Sequence, residues 1–180
     1  SQLRWMATTP TSVDITLDWG EDATVEFGNV CLGAGGGKTL GFWSNKNGAK
    51  LFGADDLAAM VALNLRNVDG SAFDPLSYAQ FRTWLLNANA TNMAYMLSAQ
   101  LAAMQLNLIN GFVDGNGLIW TGKEFITVNA LITAADTSLA NYGLTLAGDP
   151  NRADQEYLKN ALDNANNNKN FVQPGPCSYT

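Results

Sequence analysis

The chain has 180 residues, enough for one domain of ordinary size or one domain with a small appendage. Its net charge of −6 argues against the basic surface that meets phosphate backbones, and the absence of histidine excludes serine and cysteine triads, histidine-bearing zinc sites and an imidazole base. Charged residues make up only 14%, against roughly 25% in typical domains, and asparagine, present 20 times, takes their place; such a surface repels its own copies weakly and suits a secreted protein that packs against neighbours.

Residues 13–19 (Val-Asp-Ile-Thr-Leu-Asp-Trp) alternate apolar and polar, and so do residues 23–27 (Ala-Thr-Val-Glu-Phe) after Gly20-Glu21-Asp22. This period of two predicts a hairpin with Asp14, Thr16, Asp18, Thr24 and Glu26 on its wet face. Val13, Ile15, Leu17, Val25 and Phe27 form the opposite face. A lone hairpin is marginal in water, so it must pack on the body, pair with another strand, or pair with another molecule. Residues 33–53 are glycine-rich and read as an irregular linker. Helical spacing follows. Leu57, Met60, Val61 and Leu65 form a first helix, and a second opens at Asp74-Pro75 and runs through Tyr78, Phe81, Trp84 and Leu85. A third, after Thr91, is apolar nearly all round from Met93 to Ile109 and is expected to be central. A fourth opens on a Thr121-x-x-Glu124 capping box, and a fifth opens at Asp149-Pro150 and ends in the asparagine run 166–170. The fold class is α+β: a mainly helical body of about five helices with an N-terminal β-hairpin. The expected divisions are a hairpin over 1–32, a linker over 33–53 and a helical domain over 54–180.

Three motifs invite chemistry and fall short of it. Gly33-Ala-Gly-Gly-Gly37-Lys38-Thr39 lacks the first glycine of a phosphate loop, where Leu32 stands, and no helical period follows; a flexible linker or a tight backbone crossing fits better. Asp114-Gly-Asn-Gly117 would place Phe112 and Lys123 at the end positions of a calcium loop, so it reads as a turn. A glycosidase needs two carboxylates across a cleft, whereas Asp55-Asp56, Glu124 and Asp149 have helix-end roles and Asp14 and Asp18 face solvent. No residue set calls for a cofactor or a metal, and no catalytic residue is assigned. Of the five tryptophans, Trp19 and Trp84 read as core, while Trp5, Trp43 and Trp120 are freer to meet a ligand such as a polysaccharide.

The chain opens at Ser1 without an initiator methionine, as a processed chain or a fragment would, and no apolar run approaches the roughly 18 residues of a membrane span. Cys31 and Cys177 are its only cysteines. They are either two separate thiols or a disulfide that ties the Pro-Gly-Pro tail to the body. The terminal place of Cys177 favours the bridge and an oxidising compartment, with up to ~5 kcal/mol from the closed loop.

Residues 24–30, Thr-Val-Glu-Phe-Gly-Asn-Val, resemble the closing strand of a Cna-B or SdrD-type β-sandwich repeat. Residues 39–48, with Gly41, Phe42, Trp43 and Asn45, are similar to a Thr-x-Gly-Phe/Tyr-Trp-x-Asn motif that opens a helical module in bacterial secreted and surface proteins. Related segments often carry a histidine after the tryptophan, and this chain has none. The resemblance implies an extracellular or cell-surface location and a structural or adhesive setting, and it supplies no catalytic residue. The expected function is a non-catalytic structural subunit of a bacterial filament or layer that associates with copies of itself. The alternative is a secreted domain that binds or cleaves carbohydrate through exposed tryptophans and acids.

Overall fold

The computed structural model describes residues 4–175. In chain order its elements are β1 (Arg4–Ala7), β2 (Asn29–Gly33), α1 (Leu40–Trp43), α2 (Lys46–Leu51), α3 (Ala54–Ala62), α4 (Tyr78–Leu86), α5 (Met93–Ile109), β3 (Leu118–Trp120), β4 (Phe125–Thr127), α6 (Val128–Asn141), α7 (Arg152–Asn166) and β5 (Phe171–Val172). The strands form one antiparallel sheet in the order β1-β2-β5-β3-β4. The α+β class is as the sequence implied. No helix among the described residues is long and apolar enough to cross a membrane.

The body is organised around α5. Leu97, Leu101, Met104 and Leu106 are fully buried, and α5 packs against α1, α3, α6 and most extensively α7. A helix apolar on all sides has no face to give to water, which is why it occupies the centre. Ile119 of β3 and Phe171 of β5 join the same core.

Several elements start elsewhere than their sequence signals suggest. Helix α4 begins after Ser77, not at Asp74-Pro75, because the Ser77 hydroxyl accepts from the Gln80 amide while Gln80 Oε1 accepts from Leu76 N–H. Thr121 and Glu124 do not open α6. The Thr121 N–H donates to the Glu124 carbonyl at 3.0 Å and closes the turn between β3 and β4, and α6 is capped by Thr127 instead. At Asp149-Pro150 the expected helix does follow: Asp149 Oδ1 accepts from Asn151 N–H at 2.8 Å, and α7 starts at Arg152. It ends where Asn168 and Asn170 take positive φ, a conformation asparagine tolerates better than most residues.

The 33–53 stretch is a packed crossing that carries two short helices. Gly36 has φ +94°, and a Cβ there would also collide with the Phe112 carbonyl oxygen. Neighbouring Gly35 and Gly36 both donate their amides to Asn168 Oδ1, at 2.8 and 2.6 Å. The amide concavity that could have met a phosphate is therefore filled by the chain's own side chain.

Candidate functional site

The N-terminal hairpin exists, but its strands are β1 and β2, paired from Arg4 opposite Leu32 to Ala7 opposite Asn29. The two alternating runs lie between them, in an extended arm over residues 8–28. Its chain reverses at Trp19-Gly20, where Glu21 N–H donates to Asp18 C=O at 3.1 Å and Gly20 takes φ +90°. Parity explains why no ladder forms. A two-residue turn there sets Val13 opposite Glu26, Ile15 opposite Thr24 and Leu17 opposite Asp22, so the two apolar sets fall on opposite faces. A three-residue turn, as Gly20-Glu21-Asp22 suggested, would have brought them together. Pro10 adds a missing donor at the base of the arm.

The result is an uncovered apolar segment. Val13, Ile15, Leu17 and Phe27 are 49, 46, 52 and 56% exposed, Val25 is half-buried, and Trp19, expected in the core, is fully exposed. Apart from the Asp18–Glu21 turn, no backbone amide of residues 10–27 finds a partner among the described residues. The arm also holds five of the chain's acids (Asp14, Asp18, Glu21, Asp22 and Glu26) and no base.

The Gly41-Phe42-Trp43-Asn45 motif is built into the body. Thr39 caps α1 and Asn45 caps α2. Trp43 is fully buried, so it cannot be the sugar platform that its irregular surroundings suggested. Its Nε1 donates to Asn107 Oδ1 at 3.1 Å, and Phe42, Trp43 and Phe112 meet edge to face. Tyr78 Oη donates to the carbonyls of Trp43 and Asn45, and Arg82 Nε to that of Ser44. Trp120 is half-buried against Phe125, and Trp5 lies in the outer strand β1. The carbohydrate alternative calls for a cleft that sets a tryptophan beside two carboxylates, and Trp43, being enclosed, lines none.

A different cleft is present. It measures about 560 Å³ and lies between the outer face of α4 and the 67–73 loop, lined by Phe73, Trp84 and Tyr95 below and by Asn67, Ala79, Gln80, Thr83 and Asn87 at the sides. The Phe73 and Trp84 rings stack, parallel within 4°, with their centroids 4.4 Å apart. Tyr95 Oη donates to the Trp84 carbonyl, and burial pushes its phenol above the ordinary value. The loop is held by Asn67 N–H to Ser71 C=O and by Ser71 donating to Asp69, which lowers the Asp69 carboxyl.

Three buried asparagines escaped sequence reasoning, which had placed this residue on the surface. Asn107, fully buried, bonds both backbone groups of Lys38, the Trp43 indole and Asn166; Asn166 continues to Gln100, and Gln100 to Asp163. Asn92, also fully buried, accepts from the Ala94 and Thr145 amides and donates to the carbonyls of Asn67 and Gly143. No buried side-chain nitrogen or oxygen among the described residues lacks a partner. The only signal for these roles was the excess of asparagine itself.

Cys31 lies buried in β2 and is not a free thiol; Cys177 falls outside the described residues. Against protein-family models, curated proteins and solved structures, the chain finds no match.

Proposed function

We propose that this chain is a non-catalytic structural subunit of an extracellular or cell-surface bacterial assembly, a filament or a layer, joined through strand pairing and apolar contacts. The observation that carries this reading is the 8–28 arm. It extends from the body with unpaired backbone and exposes Val13, Ile15, Leu17, Trp19 and Phe27. An extended segment of this kind adds to the open edge of a neighbour's sheet: its main chain supplies affinity and its alternate side chains supply fit. Among the described residues, the outer strand β4 offers such an edge. Because five acids line the arm, it suits an edge on the body of another copy better than another arm, which would set like charges opposite each other.

A Cys31–Cys177 disulfide belongs to the same reading and to secretion. Its support is that Gln173 N–H donates to the Cys31 carbonyl at 2.8 Å, which brings the chain beside Cys31 four residues before Cys177. The resemblance of residues 24–48 to bacterial surface modules points the same way.

Sedimentation of the full chain over a range of concentrations tests the proposal. Mass should rise with concentration and return to that of one chain when Val13, Ile15 and Leu17 are all replaced by Ser. A full chain that stays monomeric at every concentration would overturn it.

A further inference from the structure

We infer that the cleft between α4 and the 67–73 loop is a binding site for a short neutral saccharide. The inference is separate from the assembly reading and uses none of the arm.

The floor is aromatic: Phe73, half-buried, stacks on Trp84, which in turn packs against Tyr95. The walls are uncharged. No Asp, Glu, Lys or Arg lines the cleft. A phosphorylated or carboxylated ligand would therefore lose water without gaining a counter-charge, and a purely apolar ligand would leave the amides facing it unpaired.

The wall groups also keep hydrogen-bonding capacity after their internal bonds are made. Gln80 uses Oε1 for Leu76 N–H, which fixes the amide and leaves both Nε2 protons. Asn67 spends Nδ2 on Ser71 Oγ and the Ala72 carbonyl, leaving Oδ1. Asn87 spends one Nδ2 proton on the Thr83 carbonyl, leaving Oδ1 and the other proton. The walls thus keep both donors and acceptors beside an aromatic floor, a set that matches hydroxyls around the rim of a sugar ring whose C–H face lies on the aromatics.

The size agrees. The volume of about 560 Å³ falls within the roughly 300–1,000 Å³ of small-ligand pockets. Gln80 and Asn87 stand two helical turns apart on α4, about 10 Å along the axis, which is room for more than one ring. Because the internal bonds hold the amides before any ligand arrives, little ordering remains to be done on binding.

The experiment is an amide NMR titration of the full chain with cellotriose, maltotriose and N-acetylated chitotriose in turn, and with a sulfated oligosaccharide as the charged control. At least one neutral probe should shift the side-chain amides of Asn67, Gln80 and Asn87 together with saturation. The double variant Gln80→Ala with Asn87→Ala, both exposed positions, should weaken that binding about tenfold or more; it lowers thermal unfolding slightly through the lost Gln80–Leu76 cap while the amide spectrum of the body remains that of a folded chain. Phe73→Leu, which keeps an apolar floor without a ring, should weaken it as well. The inference fails if no neutral probe moves these amides, if the double variant binds unchanged, or if the sulfated probe binds best. Because the readout is the cleft's own resonances, each result holds whether or not the chain assembles.

Discussion

The arm and the helical body use opposite residue patterns and meet opposite fates. In the arm, apolar side chains alternate with acids in good β order, yet Ile15, Leu17 and Trp19 face water. In the body, Asn92, Asn107 and Asn166 are polar and wholly enclosed. What separates them is whether the fold supplies partners. Each buried amide finds donors and acceptors on other elements, whereas the arm's two runs turn their apolar sets to opposite sides at Trp19-Gly20. Periodicity describes the face a segment could offer; burial requires something in the chain to receive it.

Removing a partner from the body should have the largest effect. Asn107→Ala strips bonds from both backbone groups of Lys38, from the Trp43 indole and from Asn166, and should cost on the order of 3–5 kcal/mol in urea unfolding. A loss below about 1 kcal/mol would mean that the network is not what holds the glycine-rich crossing. Gly36→Ala should follow at about 2–3 kcal/mol, through its positive φ and its approach to Phe112.

Alkaline titration sharpens the contrast further, since the arm contains no tyrosine. Burial raises the phenols of Tyr95 and Tyr78, for Tyr78 against the pull of Arg82. The unfolded chain therefore gives up these protons first. The stability involved is intact below about pH 10 and declines as the pH rises from there through the folded values. Denaturant midpoints should fall across that window, and less so in Tyr95→Phe. The smallest effect on stability belongs to the arm. Replacing Val13, Ile15 and Leu17 by Ser should leave unfolding of the body within about 0.5 kcal/mol while changing the mass in solution.

Much of the body was legible. The all-round apolar stretch 93–109 announced a central helix, Asp149-Pro150 announced α7, and the asparagine run announced its end. What stayed hidden has physical causes. Thr-x-x-Glu serves a helix start and a tight turn equally, and at 121–124 the turn won because it joins two strands. Strands of two or three residues carry no readable period, which concealed β3, β4 and β5. The helices α1 and α2 are stabilised by caps and by Trp43 reaching the core, contacts that spacing does not show. Asn107 pairs with a residue 59 positions away, beyond any local pattern. The cleft was missed because its aromatic residues are also core residues and its amides lie on an exposed helix face.

The place of β5 has a consequence for how the sheet holds together. Phe171 and Val172 stand between β2 and β3, so without them the described strands are two unconnected hairpins. The pairing of Leu32 with Val172 closes a long loop, a contact that local structure cannot supply. A chain cut after Asn166 would retain α1 to α7 and lose the seam. The two halves of the sheet are thus one body only while β5 stays between them.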